Sequence, residues 1–126
     1  MNDTLTEPGI IHSANLAEHW IPEGCHIIEL SNSERDPDLS VAKARVAPGV
    51  TTEWHQLRGT VERYVILSGA GLVEIGDLPP TTVKAHDVVL IPAGCRQRIT
   101  NTTDKDLVFL ALCTPRFKSS VYESSV

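Results

Sequence analysis

Short segments in which apolar and polar residues alternate make up most of the chain after residue 24. Alternation with a period of two is typical of β-strands, because successive side chains of a strand point to opposite faces. Turn residues separate these segments, as at Ala47-Pro48-Gly49 and Pro92-Ala93-Gly94. We therefore predict strands over residues 25–30, 39–46, 61–68, 72–75, 87–91, 96–100 and 107–113.

The spacing of these strands predicts an all-β sandwich or barrel. No long segment with helical periodicity interrupts the strands, which excludes a parallel α/β sheet. The length of 126 residues fits one domain. We predict an irregular N-terminal segment over 1–24, a single barrel domain over 25–118 and a C-terminal tail over 119–126.

Composition and charge narrow the range of partners. The net charge is −5 and the chain has no basic cluster, which argues against nucleic-acid binding. No apolar stretch approaches the roughly 20 residues needed to span a bilayer, and the polar first residues do not resemble a signal peptide. We expect a cytoplasmic protein that has no membrane partner and binds a small molecule.

The three cysteines, Cys25, Cys95 and Cys113, are widely spaced, and no CxxC pair is present. This spacing argues against a structural zinc site. An odd number of cysteines in a reducing compartment predicts three free thiols.

Several polar residues share a strand face with bulky apolar residues. His55 and Leu57 lie on one face, Glu62 and Tyr64 on another, and Gln97 has Ile99 as its neighbour. A polar group on the inner face of a barrel needs a hydrogen-bond partner or a function. His55, Glu62 and Gln97 could satisfy one another or jointly hold a metal ion, and the pattern leaves both interpretations open.

The same residues fit a spaced motif. The first signature of the cupin family is G-x5-H-x-H-x3,4-E-x6-G, and the chain resembles it through Gly49, His55, Glu62 and Gly69. The departure is Leu57, which stands where the signature has its second histidine.

The second cupin signature, G-x5-P-x-G-x2-H-x3-N, follows after sixteen residues, 70–85. Pro92, Gly94 and Asn101 occupy their expected places. His86 replaces the leading glycine, and Gln97 stands where the third histidine belongs.

The resemblance implies a single cupin domain, which is a double-stranded β-helix or jelly-roll barrel with a pocket in its mouth. In that family three histidines and one glutamate usually bind a divalent metal such as Fe, Ni, Mn or Zn. Carried over by position, His55 and Glu62 match the family's ligands. Gln97, whose neutral amide oxygen is a weaker ligand than imidazole, is the third predicted metal ligand. The alternative is a pocket without metal in which His55 and Glu62 are hydrogen-bonded to each other. The resemblance also implies a homodimer.

The function remains open between three classes, and so does the question of whether the protein is an enzyme at all. One class is a metal-dependent dioxygenase, isomerase or lyase that acts on a small oxygenated substrate, with Glu62 or Tyr64 as the catalytic residue. A second is a cupin that binds or senses a ligand without metal or catalysis. The third is acid–base catalysis without metal by His55 and Glu62.

Some further side chains could contribute to such a site. Cys95 is predicted to face inward, and Glu53 is a reserve carboxylate ligand. Arg58, Arg96 and Arg98 either anchor an anionic substrate at the rim or are solvated surface charges.

Overall fold

The computed structural model of the chain describes residues 6–125, and it consists almost entirely of short antiparallel strands. Within that range no helix is long and apolar enough to cross a membrane. The only helical element among these residues is one 3₁₀ turn, Ser119–Val121. The strands are β1 His19–Ile21, β2 Cys25–Ser31, β3 Ser40–Val46, β4 His55–Leu57, β5 Val61–Ser68, β6 Ala70–Ile75, β7 Thr81–Lys84, β8 Val88–Ile91, β9 Gln97–Thr100, β10 Leu107–Thr114 and β11 Tyr122–Ser124.

The strands form two sheets. The six-stranded sheet has the order β1-β2-β3-β10-β5-β8, and the five-stranded sheet has the order β11-β4-β9-β6-β7. All pairs are antiparallel, and neighbours in a sheet are often far apart in sequence, as are β3 and β10. This arrangement confirms the predicted all-β jelly-roll architecture.

Four strands lie outside the predicted strand ranges. They are β1, β4, β7 and β11, which have only three or four residues each, too few to display a clear alternation. β1 falls within the predicted irregular segment 1–24, and β11 falls within the predicted tail 119–126. Both strands pair with a neighbour in a sheet, so the barrel extends beyond the predicted range 25–118 at each end. Residues 1–5 and 126 of those two predicted segments lie outside the described residues.

The core lies between the sheets and is built from alternate strand residues. Along β5 the inward side chains are Glu62, Tyr64 and Ile66, while the residues between them are more exposed. Because the sheets face each other, Tyr64 meets the inward Gln97 of β9 in the five-stranded sheet. Within its own sheet it packs against Phe109 of the neighbouring strand β10.

Two residues of the sequence signatures, Gly69 and Asn101, stabilise the strand connections of the barrel. Gly69 has φ +82°, and a Cβ there would lie 2.5 Å from the backbone oxygen of Asp106, so only glycine fits. The buried Asn101 side chain donates to the backbone oxygens of Val46 and Lys105 at 2.9 and 2.7 Å. It thereby ties the end of β3 to the loop before β10.

Candidate functional site

The three side chains predicted to form the site lie close together inside the barrel. His55 begins β4 and Gln97 begins β9, and the two residues are directly opposite in the antiparallel pairing. Glu62 reaches them from β5 in the other sheet. His55 is 2% exposed, Gln97 1% and Glu62 8%, so each side chain needs hydrogen-bond partners within the protein.

A chain of hydrogen bonds orients the Glu62 carboxyl. The Tyr64 hydroxyl donates to Gln97 Oε1 at 2.5 Å, and Gln97 Nε2 donates to Glu62 Oε1 at 2.9 Å. Among residues 6–125, the second carboxyl oxygen, Oε2, has only the Cys113 thiol as a neighbouring donor, at 3.7 Å. Both ends of the Gln97 amide are therefore occupied, and one oxygen of Glu62 keeps weaker contacts.

The contacts of His55 define its tautomer. Nδ1 lies 2.7 Å from the backbone oxygen of Glu53, and because a carbonyl oxygen only accepts, Nδ1 carries the hydrogen. The other nitrogen, Nε2, faces the Glu23 carboxylate at 3.7 Å. The Tyr122 ring stacks on the imidazole, with centroids 5.0 Å apart and planes inclined by 15°.

Glu23 is a site residue that the sequence analysis missed. It follows β1, and its backbone oxygen accepts a hydrogen bond from the backbone N–H of Glu53 at 2.7 Å, which holds its loop against the segment before His55. Its side chain is only 17% exposed. A single acidic residue between Pro22 and Gly24 carries no signature, so only its position in space reveals it.

Burial dominates the electrostatics of the two inner carboxyls. Burial, reinforced by the negative charge of Glu23, raises the pKa of Glu62 to about 7, against the smaller lowering effects of Gln97 and His55. Burial and the neighbouring charge of Glu53 raise the pKa of Glu23 to about 7. Two carboxyls so placed resist ionising together near neutral pH.

A cavity of about 140 Å³ reaches Glu62 along the inner face of the six-stranded sheet. Its other polar lining residues are His19, Glu29 and Ser40, and the rest of the wall is mainly apolar. A second cavity, of about 330 Å³, lies on the Glu23 side. It is lined by Ile21, Pro22, Glu23, Glu53, Ser119 and Tyr122.

The structure places the reserve carboxylate and thiol outside this centre. The Glu53 carboxylate accepts a hydrogen bond from the Tyr122 hydroxyl at 2.8 Å, so it is engaged with the C-terminal strand. Cys95 precedes β9 and is half-buried, with its Sγ 3.9 Å from the backbone oxygen of Arg96. All three cysteines are free thiols.

The arginines lie away from the Glu62 cavity. Arg96 and Arg98 flank the inward-facing Gln97, and both guanidinium groups lie over the Trp54 ring, at 3.9 and 4.3 Å from its centroid. Arg58 pairs with Glu123 at 3.0 Å. Among the described residues, no lysine or arginine lines the cavity next to Glu62, so an anionic ligand would find no counter-charge there.

The residues present do not fit the metal that the sequence signatures imply. Gln97 Oε1 already accepts the Tyr64 hydrogen, and the buried Leu57 offers no donor atom. Across residues 6–125 no group of three or more histidine, cysteine, aspartate or glutamate side chains is arranged to hold a metal ion. The predicted ligands, one imidazole, one carboxyl and an engaged amide, are a poor set for a late divalent metal, and the neighbouring Glu23 does not complete a metal-binding group with them.

Comparison with known proteins supports the architecture. The family described as Cupin domain matches residues 42–113. No curated protein matches the chain in sequence.

Many solved structures share the fold. An uncharacterized conserved protein with a double-stranded β-helix domain from Klebsiella pneumoniae is 15% identical, with a TM-score of 0.72 over 86% of this chain and 90% of that one. A predicted oxalate decarboxylase from Thermotoga maritima is 24% identical, with a TM-score of 0.75 over 85% and 99%. Streptomyces Pac13, a nucleoside dehydratase, is 14% identical, with a TM-score of 0.77 over 94% and 91%, and its variants have been solved with uridine. At these identities the likeness concerns the fold alone.

Proposed function

The chain belongs to the cupin family, and from that premise we propose that it binds a small, uncharged, hydroxylated carbonyl compound and transfers protons to and from it. Glu62 is the proposed catalytic acid–base group. The reaction class is the movement of a proton from a carbon next to a carbonyl, followed by isomerisation or loss of water.

The observation that carries this proposal is the placement of the Glu62 carboxyl. It lies at the cavity of about 140 Å³, and Gln97 Nε2 fixes one of its oxygens at 2.9 Å. A carboxyl that is both oriented and accessible from a cavity meets the geometric requirement for general acid–base catalysis. Its pKa of about 7 allows both protonation states near neutral pH, which supports the same role.

The charges around the cavity disfavour an anionic ligand. Glu29 and Glu62 are the acidic residues that line it, and Glu23 lies close enough to raise the pKa of Glu62. A carboxylate ligand would be repelled by these groups in a partly desolvated site. The fold accommodates an uncharged hydroxylated molecule in Streptomyces Pac13, whose variants hold uridine.

The proposed step needs no group beyond the chain and its ligand. The ionised Glu62 takes a proton from the carbon next to the carbonyl, and the electrons of that C–H bond move onto the carbonyl carbon and oxygen. In an isomerisation, protonated Glu62 returns the proton to the former carbonyl carbon, while the hydroxyl hydrogen on the carbon that lost its proton moves to the former carbonyl oxygen and the new carbonyl forms. In a dehydration, protonated Glu62 gives the proton to a hydroxyl on the next carbon; as the enolate carbonyl re-forms, a C=C bond forms, and the C–O bond breaks with its electrons leaving on the water. Ser40 can assist, because its oxygen accepts from the backbone N–H of Phe117 at 2.9 Å and its own hydrogen can point to the ligand oxygen.

Tyr64 has a supporting role in this proposal. Its hydroxyl hydrogen is donated to Gln97, and burial raises its pKa well above the usual range, so it is a poor proton donor to a ligand. We assign Tyr64 to the orientation of Gln97, and through it of Glu62.

Deuterium exchange tests the proposal without knowledge of the natural product. Dihydroxyacetone and pyruvate both carry exchangeable C–H groups next to a carbonyl, but only pyruvate is an anion. In D₂O we expect the protein to accelerate deuterium incorporation into dihydroxyacetone and not into pyruvate, as followed by proton NMR. Glu62→Gln should reduce the acceleration by about 100-fold or more, the usual size of a general-base effect.

Glu29→Gln is the matched control, because it removes a carboxyl from the same cavity without touching the Gln97 hydrogen bond. It should leave exchange within a few-fold of the wild type. Binding of dihydroxyacetone without any protein-dependent exchange would reject catalysis and favour a ligand-binding cupin. Equal exchange by the wild type and Glu62→Gln would remove Glu62 from the proposed role.

A further inference from the structure

The C-terminal strand reaches the candidate site directly. β11 pairs with β4 along its whole length, with Ser124 opposite His55 and Tyr122 opposite Leu57. It forms the edge of the five-stranded sheet and contributes Tyr122 to the wall of the Glu23 cavity. The tail is therefore in contact with His55, whose Nε2 faces the Glu23 carboxylate.

Tyr122 contacts His55 in two ways, one direct and one through Glu53. The two rings stack with centroids 5.0 Å apart. The Tyr122 hydroxyl donates to Glu53 Oε1 at 2.8 Å, and the backbone oxygen of the same Glu53 accepts from His55 Nδ1 at 2.7 Å. The three residues form a closed set in which each holds the other two.

We propose that Tyr122 is a positioning residue that holds His55 in the Nδ1–H tautomer, with Nε2 directed at Glu23. This inference rests on the proposed function for its consequence, because it is through His55 that Tyr122 would influence the acid–base centre. The stacked ring blocks rotation of the imidazole, and the Glu53 side chain keeps the accepting carbonyl in place. Without Tyr122, the imidazole gains room to rotate and to exchange which nitrogen carries the hydrogen.

The strand that carries Tyr122 is anchored independently of it. Arg58 pairs with Glu123 at 3.0 Å, and the backbone N–H of Ser125 donates to the backbone oxygen of Trp54 at 2.9 Å. Gln56 also donates to Glu123, at 3.1 Å. A change confined to the Tyr122 side chain should therefore leave β11 in its sheet.

Nitrogen-15 NMR of the histidine rings tests the inference in the absence of any ligand. Two-bond proton–nitrogen couplings distinguish the Nδ1–H from the Nε2–H tautomer. At pH 8 the wild type should show His55 almost entirely as Nδ1–H. Tyr122→Leu, which removes both contacts, should shift at least about a fifth of the population to Nε2–H.

Tyr122→Phe keeps the ring and removes only the bond to Glu53, so its shift should be smaller than that of Tyr122→Leu. Glu123→Gln is the control on the same strand, because it disturbs the Arg58 pair without touching His55. A pure Nδ1–H tautomer in a folded Tyr122→Leu protein, judged by dispersed backbone amide signals, would overturn the inference in favour of the Glu53 carbonyl alone. If Tyr122→Leu does not fold, a Tyr122→Phe shift that is absent or no smaller than that of Glu123→Gln would overturn the part assigned to the Tyr122–Glu53 bond. Because no ligand is used, this outcome is separate from that of the deuterium-exchange experiment.

Discussion

The two ends of the barrel interior differ sharply in chemistry. One end, here called the polar end, contains Ser40, His55, Glu62, Gln97 and Cys113. The other, the apolar end, contains Val46, Ile66, Ile99, Leu107 and Phe109.

β5 crosses from one end to the other on a single face. Its inward residues run from Glu62 through Tyr64 to Ile66, and Tyr64 serves both ends. The Tyr64 ring packs on Phe109 with centroids 4.3 Å apart, while its hydroxyl bonds Gln97.

The contrast separates stability from function. Burying aliphatic side chains at the apolar end removes apolar area from water and stabilises the fold. Burying carboxyls at the polar end costs free energy, which the hydrogen bonds of Gln97 offset only in part. The proposed function requires such a cluster, and the apolar end supplies the stability that offsets its cost.

The largest expected effect is a cavity at the apolar end. Ile66 is completely buried, and Ile66→Ala should lower the free energy of unfolding by about 2–5 kcal/mol, because the removed methyl groups leave a void. Urea unfolding followed by circular dichroism measures the change. Val65→Ala on the outer face of the same strand is the control, and it should cost clearly less because Val65 is only half-buried. Equal losses for the two variants would contradict the assignment of stability to this end.

The next effect is a pH dependence that originates at the polar end. The folded pKa of Glu62 is about 7 against an ordinary value of 4.5, so the folded protein holds its proton more tightly than the unfolded chain does. The resulting stability is fully present below about pH 4.5 and is lost as the pH rises through 7; Glu23 acts in the same direction. Each pKa unit corresponds to roughly 1.4 kcal/mol.

We therefore expect Glu62→Gln to be more stable than the wild type at pH 8, by about 1–3 kcal/mol, because the amide carries no charge to desolvate. At pH 5 the difference should shrink towards zero. Thermal unfolding at several pH values provides the measurement, with Glu29→Gln as the control, since Glu29 is exposed. A wild type whose stability does not fall between pH 5 and pH 8 would contradict the raised pKa values.

The sequence predicts the fold well because the long strands carry enough residues to display their period. β3, β5 and β10 have seven or eight residues with alternating burial, and the predicted bounds agree to within one residue. β1 and β11 have three residues each, so their pairing is decided by the sheets that they join and not by local pattern.

The site could be predicted only in part. His55, Glu62 and Gln97 stand at fixed spacings in strands, so their convergence follows from the alternation of side chains and the motif spacing. Glu23 and Tyr122 come from the two segments outside the predicted barrel, and no local signal links either one to His55. Contacts between distant segments of the chain depend on how the sheets pack, which a single sequence does not display.

The three residues that depart from the family signatures, Leu57, Gln97 and His86, have different structural consequences. Leu57 and Gln97 change the chemistry of the polar end, whereas His86 changes only the backbone. His86 stands where the second signature has glycine, and its φ is +77°, the left-handed region that favours glycine. Its backbone N–H donates to the backbone oxygen of Ile66 at 2.8 Å, so this strained turn holds the apolar end of β5.

The smallest predicted effect is relief of that strain. A residue other than glycine in the left-handed region destabilises the folded state by about 1–2 kcal/mol. Replacement by glycine removes this strain, but it also stabilises the unfolded chain by about 0.5–1 kcal/mol through added backbone entropy. His86→Gly should therefore raise the free energy of unfolding by up to about 1 kcal/mol, measured by urea unfolding at pH 8. His86→Ala is the control, because it removes the same exposed imidazole while keeping the Cβ, and it should give no gain.

Both variants should leave the pH dependence caused by Glu62 unchanged, because the turn lies at the opposite end of β5. Loss of stability in both variants alike would mean that the imidazole itself stabilises the turn, and a gain in both would mean that the backbone conformation is not the cause.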